Sequence, residues 1–165
     1  MYPKLPSLMD TRIPTFLKNF NLQAFEVVGY SAINAKYQAD FCHVSVKDAV
    51  MKGGGRRVHG WALWEFESHI VGNFHSIWER PDGTFVDVTP PKVGTKVIFA
   101  PDASLKITDD GTHQTLYQNR TSDPGLPYID PLGNAANHPQ WMLENSNPSL
   151  IEYCKSLGWN NASMA

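Results

Sequence analysis

Cysteine is scarce in this chain: there are two, Cys42 and Cys154, far apart in sequence. Two are too few for a disulfide scaffold and fit a reducing compartment. Long apolar runs are missing as well; no stretch approaches the roughly 18 apolar residues that a membrane span needs. The opening MYPKLPSLMD has no apolar core of the kind that marks a secretory signal. Excess charge of either sign is also lacking. There are 14 Lys and Arg against 16 Asp and Glu, for a net −2, and the longest basic run is Arg56-Arg57. Nothing in that balance points to a nucleic-acid or membrane partner. A cytoplasmic location is therefore expected. Without a signal, the sequons Asn119-Arg120-Thr121 and Asn161-Ala162-Ser163 are read as chance matches.

What is present is an ordinary globular composition, 42% apolar over 165 residues, enough for a real core. One domain over residues 1–165 is expected, with a core over about 15–102, a long loop region over 103–146 and a C-terminal helix over 147–158. Residues 1–14 carry three Pro and read as an extended arm; Thr15 to Phe20 reads as a short helix with Thr15 as a possible cap. Phe25 to Tyr30 is too short an apolar run to assign as strand or helix. Asp40 to Lys52 reads as a helix, with Phe41, Val44, Ala49 and Met51 near helical spacing, Asp40 as N-cap and Gly53 as the stop. From Arg57 the pattern turns to β, with strands expected at Arg57–Phe66, Ile70–Trp78, Thr84–Thr89 and Lys96–Ala100. The short connections favour an antiparallel meander. Asp102 to Asn147 is dense in Asp, Gly, Pro and Asn and reads as loop. Asn147, Pro148 and Gly158 bracket the last helix, with Leu150, Ile151, Cys154 and Leu157 on one face.

Three residues carry the chemistry. Cys42 falls in the first turn of its helix, where the dipole and free N–H groups favour a thiolate. A free Cys is more often a small core residue, and Cys154, on an apolar helix face, is read that way. His75 and Asp87 flank the turn around Pro81-Asp82-Gly83. Their relation depends on register. A loop over Glu79 to Gly83 sets them directly opposite; one over Pro81 to Gly83 leaves them diagonal on one face; one of Asp82-Gly83 separates them onto opposite faces. Trp61, Trp64 and Trp78 are candidates to line a substrate pocket, although core filling is the commoner fate of such a cluster. A zinc site from Cys42, His43 and His75 is a weak alternative, because neither CxxC nor HExxH spacing is present.

The order of these pieces resembles the transglutaminase-like branch of the papain-like cysteine enzymes. That family reads Cys, then a basic residue and Val leading to Gly-Tyr or Gly-Trp, then His-Ala-Trp, then a strand ending Val-Asp-Pro-Thr. Cys42, Arg57-Val58-His59-Gly60-Trp61, His75-Ser76-Ile77-Trp78 and Val86-Asp87-Val88-Thr89 match in that order, over roughly residues 37 to 90. His75-Ser76-Ile77-Trp78 is one residue longer than His-Ala-Trp, and Val88 stands where the family has Pro. The same stretch is similar to a set of uncharacterised bacterial proteins, some labelled as SEC-C zinc-binding proteins. The shared pieces are Cys42-His43-Val44-Ser45, Gly60-Trp61-Ala62-Leu63-Trp64-Glu65, Asn73-Phe74-His75-Ser76-Ile77-Trp78 and Phe99-Ala100-Pro101-Asp102. The zinc label implies clustered Cys, which this chain lacks, so no metal or other cofactor is expected.

The resemblance implies Cys42 as nucleophile, His75 as base and Asp87 as orienter. The expected fold is α+β: an N-terminal helical part carrying Cys42, packed on an antiparallel sheet carrying His75 and Asp87 in a papain- or transglutaminase-like core. The expected activity is attack on an amide or acyl carbonyl of a peptide, protein or small amide, with the Cys42 N–H as one oxyanion donor and Tyr37 or Gln38 as candidates for the second. Hydrolysis, as in a protease, amidase or glutamine deamidase, ranks above transfer to an amine because it needs no second binding site. The alternatives are an inactive protein-binding module of the same fold and a metal-binding protein.

Overall fold

The computed structural model describes residues 3–165 and is α+β, with three helices and antiparallel sheets. Helix α1 spans Arg12–Asn19, strand β1 Glu26–Gly29 and helix α2 Cys42–Gly53. Four strands follow: β2 (Arg56–Glu65), β3 (Ile70–Glu79), β4 (Phe85–Val86) and β5 (Lys96–Pro101). Helix α1 starts earlier than Thr15, with Thr11 as N-cap and Pro14 inside its first turn. Proline is tolerated there because first-turn N–H groups have no intrahelical acceptor. Asp40 is not the cap of α2. It is exposed, with φ at 70°, and Phe41 takes the N-cap position. The Phe41 ring stacks on Tyr153 with centroids 4.2 Å apart. That packing offsets the roughly 1 kcal/mol a capping side chain would contribute. Met51, expected on the apolar face, is 67% exposed.

The largest departure lies after Asp102. The region expected as loop holds β6 (Thr108–Asp109), β7 (His113–Tyr117), β8 (Asn119–Thr121), β9 (Tyr128–Ile129) and β10 (Gln140–Glu144). Strands β10, β7 and β6 form a small sheet, while β8 and β9 extend the main one. These strands are short, and the alternation in β7 is disguised because Gln114 takes a core position. Gln114 is fully buried; it donates to Asn145 and the Ala162 carbonyl and accepts from the Met164 N–H. The last helix, α3, spans Pro148–Ser156, and the Asn147 side chain accepts from the Leu150 N–H at 3.1 Å.

The main sheet runs β1-β5-β2-β3-β8-β9, with β4 also on β3. Its two faces pack differently. Val28, Ala62, Trp64, Ile77, Val97 and Phe99 cluster on one. On the other, α1 contributes Ile13 and Phe16 to Trp61, Leu63 and Ile98, and α2 and α3 pack with Val86 and Val88. The edge of β3 is interrupted. It pairs with β8 at Val71 and Gly72 and with β4 at Trp78 and Glu79, leaving residues 73–77 without a strand there. Beyond β4 the chain also leaves β3. Asp87 bridges to Tyr30, its N–H donating to the Gly29 carbonyl and its carbonyl accepting from the Ser31 N–H, both at 2.9 Å. The sheet thereby curls until its fourth strand meets its first, and the strand expected over Thr84–Thr89 is cut to two residues.

Gly60 stands across from His75 in the β2–β3 pair, and a Cβ there would run into the Ala100 carbonyl oxygen and the Phe99 ring. Gly60→Ala is therefore expected to destabilise the fold by about 1–3 kcal/mol, read from the urea midpoint at constant m. An unchanged midpoint would contradict this packing.

Candidate active site

The β3–β4 connection settles the register left open by the sequence. Arg80 and Thr84 close the turn, the Arg80 N–H donating to the Thr84 carbonyl at 2.8 Å, and Trp78 pairs with Val86. This is the Pro81–Gly83 loop, not the longer Glu79–Gly83 one, and it places His75 and Asp87 diagonally on one face. They meet: His75 Nε2 lies 3.0 Å from Asp87 Oδ2. The other carboxylate oxygen accepts from the Thr89 N–H at 3.0 Å. With Nε2 engaged by Asp87, the ring nitrogen left free is Nδ1.

Cys42 is the first residue of α2 and is 7% exposed. No side chain caps this helix, so its first N–H groups are not spent on a cap. The segment before it is pinned from α3. The Tyr153 hydroxyl lies 2.6 Å from Ser45 Oγ and accepts from the Gln38 N–H at 3.2 Å. Two of the donors that Gln38 and Tyr37 could offer as the second oxyanion donor are engaged elsewhere. The Gln38 N–H is taken, and the Tyr37 hydroxyl donates to Asp48 at 2.6 Å.

Burial alone drives the Cys42 thiol pKa upward, but the charge of His43 and His75, with hydrogen bonding from both rings, outweighs it and holds the thiol well below its usual range. His75 shows the converse. Burial lowers its pKa; the charges of Asp87 and Cys42 and hydrogen bonds to both raise it well above the usual value. Arg57, whose guanidinium donates to the His43 carbonyl at 2.9 Å, is lowered by burial and supported by the Cys42 charge. The second cysteine responds oppositely: burial among α3 side chains raises the Cys154 thiol, opposed only by Lys47. Cys42, His75 and Asp87 all line one cleft of about 550 Å³, which opens where β3 lacks an edge partner. Leu116, Tyr117, Trp141 and Leu143 form part of its wall, from the region expected as loop. Past Trp64, Asn73 and Asn119 a second hollow of about 460 Å³ continues it.

Of the three Trp residues expected in the pocket, only Trp64 reaches this cleft. Trp61 is fully buried and donates to Asp102 at 3.0 Å; Trp78 packs on Gly53 and donates to the Gly54 carbonyl at 2.9 Å. Both are scaffold because their indole N–H groups find partners inside the fold. Apart from the zinc alternative for His43, sequence reasoning gives His43, His59 and Ser76 no role, yet they lie together. His43 Nδ1 and His59 Nδ1 are 2.6 and 2.8 Å from Ser76 Oγ. The signal that could have found them is the β2–β3 register, which sets His59 directly across from Ser76. Among the described residues no set of three or more His, Cys, Asp or Glu is arranged to hold a metal ion. No helix among them is long and apolar enough to cross a membrane. Comparison with protein families, curated proteins and solved structures finds no match to this chain.

The shifts at Cys42 and His75 have opposite signs and define a pH window. Over that window both shifts favour the thiolate–imidazolium form of the pair over the neutral one. Iodoacetamide is thus expected to alkylate Cys42 rapidly even at about pH 6, with the rate falling only as pH drops through the depressed value. Cys154 should label only at high pH, and His75→Ala should move the Cys42 profile upward. Peptide mass spectrometry of quenched samples measures both sites, and Cys42 labelling no faster than Cys154 would refute the window.

Proposed function

We propose that this chain is a cysteine-dependent acyl-transfer enzyme with a transglutaminase-like, papain-like core, hydrolysing an amide bond through Cys42, His75 and Asp87. The observation that carries the reading is a cysteine at a helix start in one cleft with an imidazole whose Nε2 is bound to a buried carboxylate; the neighbouring imidazoles favour its thiolate. Each part has a task. The Cys42 thiolate attacks the carbonyl carbon. The oxygen takes up the negative charge and is met by N–H groups at the uncapped start of α2. The tetrahedral intermediate collapses as the His75 imidazolium gives its proton to the leaving amine, and a thioester remains on Cys42. His75 then takes a proton from water, the hydroxide attacks the thioester, and the acid and the thiolate are released. Asp87 holds the ring orientation and the imidazolium throughout. The hollow beyond Trp64 gives room for a chain on one side of the scissile bond, which suits a peptide or protein amide.

The acylation step is testable without the natural substrate. With p-nitrophenyl acetate, the protein should release about one equivalent of p-nitrophenol in a burst and carry the acetyl group on the Cys42 peptide. Cys42→Ala should abolish the burst, and His75→Ala should slow it by on the order of a hundred-fold or more. Acetylation spread over lysines, with Cys42 unmodified, would favour the inactive binding module instead.

A further inference from the structure

The triad leaves one buried group of side chains unexplained. Ser76 is fully buried in β3, and its hydroxyl lies between two imidazoles, His43 Nδ1 at 2.6 Å and His59 Nδ1 at 2.8 Å. A hydroxyl has one proton to donate and two lone pairs to accept with, so at least one of the two rings gives it an N–H. Burial, together with the charges of Arg57 and His43, lowers the His59 pKa to about 3, so this ring is neutral, with one N–H and one lone pair. Whichever nitrogen of His59 carries the proton, the Ser76 hydroxyl has a lone pair for an N–H on His43 Nδ1. The His43 ring is also fixed from outside this chain of bonds. Its face lies against Phe74, with centroids 4.2 Å apart, and its backbone carbonyl accepts from Arg57. With Nδ1 committed to Ser76, Nε2 is the ring atom that remains, and His43 and Cys42 line the same cleft.

We propose that His43 is a second proton acceptor for Cys42, held in its working tautomer by Ser76 and His59 as His75 is held by Asp87. In this step the Cys42 S–H bond breaks, an Nε2–H bond forms on His43, and the negative charge stays on sulfur. No other reactant is needed. The ionisable groups around the ring are Cys42 on α2, Arg57 and His59 on β2 and, across the thiol, His75 on β3. The thiol is thus served by two imidazoles of different character, one backed by a carboxylate and one by a neutral hydroxyl. Ser76 and His59 are positioning residues, since they act through His43. The inference rests on Cys42 being the nucleophile proposed above.

The test is the pH profile of Cys42 alkylation by iodoacetamide in the full chain, with the Cys154 peptide as internal reference. His43→Gln is expected to raise the midpoint by about one pH unit, a tenfold loss of thiolate on the acid limb. Ser76→Ala keeps both rings and removes one hydroxyl. It should shift the profile in the same direction and gives the reading if His43→Gln does not fold. With both His43 and His75 replaced, the midpoint should return to that of an ordinary buried thiol. Profiles of His43→Gln and Ser76→Ala that overlay the unmodified protein's overturn this proposal and leave the triad standing. A Cys42 already unreactive in the unmodified protein overturns the triad and this proposal together.

Discussion

A carboxylate that is only 2% exposed has to be fully partnered, and much of this structure answers to that demand at Asp87. Its Oδ2 meets His75 and its Oδ1 the Thr89 N–H, while its own backbone N–H and carbonyl are taken by Gly29 and Ser31. One residue thereby ties β3, β4 and β1 together. The diagonal placement of His75 and Asp87 puts the two side chains on one face, and the departure of Asp87 toward β1 closes the curl of the sheet. Losing the carboxylate would therefore touch both the imidazole and the closure. The site's orientation and the fold's curvature are one constraint.

The departure of β4 has a second consequence. Because β4 and β8 each cover only two residues of β3, the strand is open between them, and the cleft lies there. A continuous edge strand would fill the space that the start of α2 shares with His75. The helix start is held there by packing, through Phe41 on Tyr153, and not by a capping side chain. A capping carboxylate would have added negative charge beside the thiol and spent the N–H groups that the proposed mechanism assigns to the oxyanion. Stacking supplies the anchorage without either effect.

How much of this the sequence revealed depended on the kind of signal. Long periodic elements were legible: β2, β3 and α3 lie within one or two residues of where alternation and capping put them. The pairing of His75 with Asp87 was legible as a set of registers, because strand parity is strict, but which turn closed the hairpin was decided by the Arg80–Thr84 bond. The segments after Asp102 were not legible. Strands of two to five residues carry too little period, and in β7 a core position is filled by Gln114, whose partners, Asn145, Ala162 and Met164, are remote in sequence. The pocket role expected of Trp61 and Trp78 failed for a related reason. Composition shows that an indole is present but not whether its N–H finds Asp102 or Gly54 inside the fold.

The two cysteines respond oppositely to similar burial. Both are buried, at 7% and 1% exposure, and burial pushes both toward the neutral thiol. Cys154 lies mid-helix among apolar side chains, and the single distant charge of Lys47 does not reverse the effect. Cys42 lies at a helix start with two imidazoles acting on its sulfur, and the shift changes sign. Desolvation therefore does not decide between scaffold and chemistry; the number and placement of cationic partners do. The partners are themselves unequal. Asp87 places a full negative charge on His75 and favours its imidazolium, whereas Ser76 and His59 orient His43 without adding charge. In the proposed mechanism His75 is accordingly the ring that carries a proton through an intermediate and delivers it to a leaving amine.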